Sequence, residues 1–168
     1  TGLGNHYTVD HVTAIGSDAG IGIIGIDSGI IGATAANNTI QNSFIGITES
    51  SLSDLMSLSR PLEQTDCDSD EINIHAFNIY YTYGTIISNN QIVCNSYMAI
   101  YDVASSSMLI TGNTIAGNGL VSNGHGIDLI GTDTVTITNN FVGNLGGTIP
   151  FQNSYYGIRI EPAGSSSY

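Results

Sequence analysis

Asp102, His125 and Asp128 are the residues whose types and spacing come nearest to acid/base chemistry. Hydrolysis of a glycosidic bond needs one carboxylic acid to protonate the leaving oxygen and one carboxylate to activate water. Asp128 follows Asp102 by about one repeat, and His125 in Gly124-His125-Gly126 adds a third proton carrier beside them. Side chains suited to sugars stand near these three: Asn78, Tyr80, Tyr101, Tyr156 and Arg159. A tyrosine offers an apolar ring face with a polar tip, which matches the apolar face and polar rim of a pyranose. Each residue also has a plainer use. A histidine between glycines serves as a turn residue, Arg159 finds partners among 14 carboxylates, and some tyrosines cover an end of the fold. His6, His11 and His75 share no metal spacing and read as structural. The run Asp66-Cys67-Asp68-Ser69-Asp70-Glu71 offers the hard oxygens that calcium takes, without the spacing of a calcium loop. The expected cofactor is therefore none, with Ca2+ at this run as the one candidate.

The elements that position these residues come from an internal repeat. Ile87-Ser88-Asn89-Asn90-Gln91-Ile92 aligns with Ile110-Thr111-Gly112-Asn113-Thr114-Ile115 and with Ile137-Thr138-Asn139-Asn140-Phe141-Val142. An earlier copy is Asn37-Asn38-Thr39-Ile40. A second landmark follows each first one: a small residue, an apolar residue, any residue, then another apolar. It reads Ala99-Ile100-Tyr101-Asp102-Val103, Gly126-Ile127-Asp128-Leu129 and Gly157-Ile158-Arg159-Ile160. Two landmarks in fixed order, recurring about every 25 residues, describe a solenoid.

Each coil supplies strands of a few residues whose alternate side chains point inward. One coil cannot bury its own inner face, so coils stack about 4.8 Å apart into a column of Ile and Val. The chain holds 25 Ile and 16 Asn, the composition of β-branched strands joined by tight turns. Asn before each Ile suits a sharp turn because it tolerates the left-handed region, and Asn repeated at one level can hydrogen-bond along the stack. The expected fold is all-β, a right-handed parallel β-helix of about five coils forming one domain over residues 1–168. Residues 49–71 interrupt the repeat, with a short helix expected near Leu52, Leu55, Met56 and Leu58, and should project as an insertion. Cys67 and Cys94 form no metal spacing and leave one disulfide or two free thiols open.

These repeats resemble the pectin-lyase-like superfamily, and residues 78–161 resemble the polygalacturonase family of glycoside hydrolases. That family carries Asn-Thr-Asp, then a paired Asp, then Gly-His-Gly, then Arg-Ile-Lys on successive coils. Asn78-Ile79-Tyr80, Tyr101-Asp102, Gly124-His125-Gly126 and Arg159-Ile160-Glu161 stand at those places. The resemblance implies a sugar-binding groove along one face. Two of the three family Asp positions are Tyr80 and Tyr101, and tyrosine with an ordinary pKa near 10 is a poor acid at neutral pH. Glu161 replaces the family lysine, the wrong charge for a uronate.

Charge narrows the partners. With no Lys, two Arg and a net charge of −12, the chain repels phosphate backbones and anionic membrane surfaces, so neither nucleic acid nor membrane is expected. Neutral carbohydrate meets no such barrier. The expectation is an extracellular or surface-displayed β-helix that recognises polysaccharide. A structural subunit of a fibre, tailspike or adhesin, stacking end to end, is the second reading, and a polysaccharide-degrading glycoside hydrolase is the third.

Overall fold

The computed structural model describes residues 8–14, 19–24, 35–36, 39–45, 75–119, 124–143, 153 and 155–162. Among these every element is a β-strand, as the repeat led one to expect. The insertion at 49–71, its acidic run and Cys67 lie outside the described residues.

Strands fall on three faces, each a parallel stack. The first face holds β1 (Thr8–Asp10), β5 (Thr39–Gln41), β9 (Ile86–Ser88), β12 (Ser106–Thr111) and β15 (Asp133–Thr138), with β4 (Ala35–Ala36) and β8 (Thr82–Tyr83) alongside. The second holds β2 (Thr13–Ala14), β6 (Phe44–Ile45), β10 (Gln91–Val93), β13 (Thr114–Ala116) and β16 (Phe141–Val142). The third holds β3 (Ala19–Ile24), β7 (His75–Tyr80), β11 (Ile100–Val103), β14 (Ile127–Ile130) and β17 (Ile158–Glu161). Successive strands of the chain visit the three faces in turn, so each rung closes on itself and pairs only with its neighbours. That is a parallel β-solenoid.

The core consists of columns rather than layers. On the first face Val9, Ile40, Ile87, Ile110 and Ile137 are in register. On the third, Ile21, Phe77, Ile100, Ile127 and Ile158 align, with Ile79, Asp102, Leu129 and Ile160 two residues on. The middle members of these columns are fully buried. Each such isoleucine contributes about 1.5–3 kcal/mol by leaving water.

Three corners turn the chain, and the central rungs share one pattern: a residue at positive φ, then a polar residue whose side chain bonds along the stack. At the first corner His11, Asn42, Asn89, Gly112 and Asn139 take positive φ. The sequence placed the left-handed conformation on Asn90, Asn113 and Asn140, one residue too late; these three form the ladder instead. Asn113 Oδ1 accepts the backbone and side-chain N–H of Asn90, both at 2.9 Å, and Asn140 Oδ1 does the same for Asn113. The second corner turns at Cys94, Gly117 and Gly143, and an unforeseen ladder joins Asn95, Asn118 and Asn153. Cys94 is disulfide-bonded, and Cys67 is the only other cysteine in the sequence. At the third corner Tyr81, Ala104 and Gly131 turn the chain before Thr82, Ser105 and Thr132. Here hydroxyls replace amides, with Thr82 donating its N–H to Ser105 Oγ at 3.0 Å.

Asp102 completes this third corner. It faces inward in the Ile79–Leu129 column, fully buried, and accepts a hydrogen bond from the Thr132 hydroxyl. Burial pushes its carboxyl above the usual range, and bonds from Ser105 and Thr132 oppose that only in part. A carboxylate whose folded pKa is raised stabilises the fold below the unfolded pKa and loses that contribution as pH rises through the folded value. Asp102→Asn should therefore raise stability at pH 7, by about 1.4 kcal/mol for every tenfold by which burial weakens the acid. The gain should fade on acidification to pH 3. Paired denaturant titrations of the two proteins at both pH values check this, and a variant less stable at pH 7 would contradict it.

Candidate functional site

The outer surface of the third face gathers most of the residues with chemical potential. Strand alternation sends Ile100, Ile127 and Leu129 to the core and every second side chain outward. Asn78, Tyr101, Asp128 and Arg159 consequently form one outward column on β7, β11, β14 and β17. Tyr80, Val103, Ile130 and Glu161 form the next.

Arg159 is the hub. Its Nε lies 3.0 Å from Asp128 Oδ1, its Nη2 3.0 Å from Glu161 Oε1, and its Nη1 3.2 Å from His125 Nε2. The sole cation of the repeat thus meets two carboxylates and one imidazole. The Asp128 side chain is wholly buried, whereas those of Arg159 and Glu161 stay 26% and 24% exposed, so the guanidinium and not the aspartate meets solvent. Neither Asp128 oxygen has an aligned hydrogen bond: the Arg159 contact has ion-pair distance without hydrogen-bond geometry. Burial accordingly pushes the Asp128 carboxyl up, the Arg159 charge opposes this, and Glu161 reinforces it.

His125 is buried and stacked on Tyr156, ring centroids 5.2 Å apart and planes 15° from parallel. Its Nδ1 lies 3.3 Å from the Tyr156 backbone N–H, while Nε2 faces Arg159. A neutral imidazole accepts at only one nitrogen, and a protonated one at neither. Both ring nitrogens face N–H donors, which disfavours the protonated ring, and the neutral ring accepts from one of the two. Burial and the Arg159 charge both hold its pKa below the ordinary value. Gly126 follows because nothing larger fits. A Cβ there would lie 2.5 Å from the Gly157 carbonyl oxygen and 2.7 Å from Asn153 Nδ2.

Aromatic rings extend the surface on both sides of this hub. His75 stacks on Tyr101 and meets the edge of Tyr97, and Tyr80 packs edge-on against Tyr101. Tyr155 and Tyr156 touch each other and His125, and both are about half exposed. Burial first, then the neighbouring Tyr80 and Asp128, push the Tyr101 phenol up, so it is a neutral hydrogen-bonding group at physiological pH. The Asn78 Oδ1 and His75 Nδ1 atoms are buried without hydrogen-bond partners.

The fold therefore brings together His125, Asp128 and Arg159 with Asn78, Tyr80, Tyr101 and Tyr156. It does not bring Asp102 to them. The register pairs Asp128 with Tyr101, not with Asp102, and a one-residue offset on a strand puts the two carboxylates on opposite sides of the sheet. Glu161, Tyr155 and His75 join the surface although none of them stood among the candidate site residues. The two-residue spacing of Arg159 and Glu161 on a strand was the available signal for the first of these. Among the described residues no group of three or more His, Cys, Asp or Glu could hold a metal ion.

Set against known proteins, the chain matches no family model, and no curated protein or solved structure matches it.

Proposed function

We propose that this chain is an extracellular or surface-displayed β-solenoid that recognises neutral polysaccharide on the outer surface of its third face. The observation that carries this reading is the band of tyrosines flanking the His125–Arg159 hub, with Tyr155 and Tyr156 half exposed at one end. A repeating flat surface set with rings matches a polymer of sugar rings. Neutral sugar is favoured because Arg159, the cation of this surface, is matched by Asp128 and Glu161, and the whole chain carries −12. A uronate would meet repulsion without a free cation to offset it. The disulfide at Cys94 supports an oxidising location. Kinship with the pectin-lyase-like superfamily belongs to the same proposal, supported by the three parallel stacks. The polygalacturonase likeness is supported by His125 and Arg159 standing side by side. Recognition is preferred to hydrolysis because Asp102 lies behind the sheet from Asp128.

Calorimetry against neutral glucans, mannans and galactans, with polygalacturonate beside them, tests the reading. The neutral class should bind and the polyuronate should not. Tyr101→Ala with Tyr156→Ala should weaken binding roughly a hundredfold, about 2–3 kcal/mol for two stacked rings, with the circular dichroism spectrum kept. Unchanged binding in that double variant, or preference for the polyuronate, would sink the proposal.

A further inference from the structure

His125 supports two of the tyrosines in the aromatic band, and its own ring is held between two donors. It is buried, stacked on Tyr156 and in ring contact with Tyr155. Its Nδ1 lies 3.3 Å from the Tyr156 backbone nitrogen and its Nε2 3.2 Å from Arg159 Nη1. A neutral ring accepts from one of these donors. A protonated ring carries N–H at both nitrogens and accepts from neither, so both sides would set donor against donor. Its positive charge would also stand beside a guanidinium.

The other charged and titratable groups around the ring do not relieve that conflict. On β17, Glu161 favours a positive imidazole but already pairs with Arg159 Nη2 at 3.0 Å. On β14, Asp128 lies 3.0 Å from Arg159 Nε. Both carboxylates are thus engaged with the guanidinium. The phenols of Tyr155 and Tyr156 complete the set among the described residues.

We propose that His125 is an acid-operated latch: protonation breaks its contacts to Arg159 and to the Tyr156 backbone, frees the Tyr155–Tyr156 pair, and lowers the affinity of the third face for polysaccharide. The last step rests on the sugar-binding reading; the first two do not. Burial and the Arg159 charge hold the latched ring's pKa below the ordinary histidine value of about 6.5. A group with a depressed folded pKa of this kind keeps its contacts at neutral pH and loses them as pH falls through the lowered value. The latch is therefore shut at pH 7 and opens in acid.

His75 supplies the contrast. It stacks on Tyr101 with centroids 5.5 Å apart and meets the edge of Tyr97, the same pairing of rings. Its buried Nδ1 has no hydrogen-bond partner, so a proton there breaks no contact of that nitrogen.

NMR of the full chain from pH 8 to pH 4.5 tests the latch without any sugar. The Tyr156 ring signals, assigned with Tyr156→Phe, should shift with the same midpoint as the His125 ring carbons, below about 6.5, while the far-ultraviolet circular dichroism spectrum holds. Tyr156 signals that stay fixed as His125 titrates would overturn the proposal. A His125 midpoint at or above that value, or loss of the whole fold over the same range, would overturn it equally. Calorimetry with a soluble neutral glucan, mannan and galactan reads the consequence. Affinity should fall by about fivefold or more between pH 7.5 and pH 4.5 for the wild type and for His75→Gln. For His125→Gln it should change by less than about twofold, whatever its value at pH 7.5. If that variant fails to fold, His125→Asn replaces it. An equal fall in His125→Gln, or none in His75→Gln, would overturn the proposal by assigning the response to other groups. Absence of binding to all three glycans at pH 7.5 would fell the sugar-binding reading, and the tyrosine signals would still decide the latch.

Discussion

Asn113→Ala should remove about 3–5 kcal/mol of stability, a large share of the roughly 5–15 kcal/mol that holds a domain together. Asn113 is fully buried at the centre of the first-corner ladder. Its Oδ1 accepts two N–H groups of Asn90 at 2.9 Å, and its Nδ2 donates to the Ile87 carbonyl and to Asn140 Oδ1, both at 2.9 Å. Truncation takes the acceptor from the Asn90 backbone N–H and from one amide hydrogen of its side chain, both buried, at about 1–3 kcal/mol for each group. No water replaces them easily in a close-packed corner between two strands. Asn140→Ala is the control. It removes the same kind of side chain from the last, half-exposed rung, where solvent reaches the freed groups, and should cost about 1 kcal/mol. Equilibrium urea unfolding of the three proteins compares them. A loss below about 1 kcal/mol for Asn113→Ala would mean that the ladder is decoration on a fold held by its isoleucine columns alone.

That contrast marks how much could be read from the residues beforehand. The first ladder was legible because Asn90, Asn113 and Asn140 each precede the same Ile-bearing strand at near-constant spacing, and a periodic polar residue in an apolar repeat must bond to its own copies. The second ladder was not. Asn118 follows Asn95 by the same interval as Asn113 follows Asn90, but Asn153 is displaced by a longer connection, so the third copy fell out of step. The third corner was hidden for another reason: Thr82, Ser105 and Thr132 are different residues doing one job, and only the register shows that they are equivalent.

The surface of the third face was half legible. The column Asn78, Tyr101, Asp128 and Arg159 follows from the small-apolar-x-apolar landmark, because the x position must point outward. Asp102 was misleading because it occupies the second apolar position of that landmark, where Ile79, Leu129 and Ile160 stand in the other copies. A carboxylate in an inward column is tolerated only if something nearby donates to it, and the donor, Thr132, lies 30 residues further along the chain. No local pattern announces such a partner. The stacking of His125 on Tyr156 was invisible for the same reason, since the two residues are brought together by the rise of one rung.

Arg159→Leu should destabilise the protein by about 3–5 kcal/mol at pH 7, the cost of leaving a buried carboxylate without its partner. Asp128 has no exposed side-chain surface and no aligned hydrogen bond, so Arg159 at 3.0 Å is what compensates its charge. Its carboxyl is already pushed up by burial, with Arg159 holding it partly down. Without that guanidinium the pKa must rise further. A group whose folded pKa lies above its unfolded value stabilises the fold at low pH and loses that contribution as pH rises through the folded value. The defect of Arg159→Leu should thus be largest at neutral pH and shrink steadily as the solution is acidified toward pH 4. Adding Asp128→Asn should recover most of the loss at pH 7, since the double variant buries no charge. A single variant with the same deficit at every pH, unrelieved by Asp128→Asn, would mean that Arg159 acts by packing its aliphatic stem and not by its charge. The sugar-binding reading adds a separate outcome to the same three proteins. If the hub only positions His125 and the tyrosines above it, the double variant should regain stability without regaining glycan affinity, because the Nη1 contact that holds His125 against Tyr156 is lost in both. Stability and affinity then part company, and that separation is what distinguishes a surface built for binding from one built only to be covered.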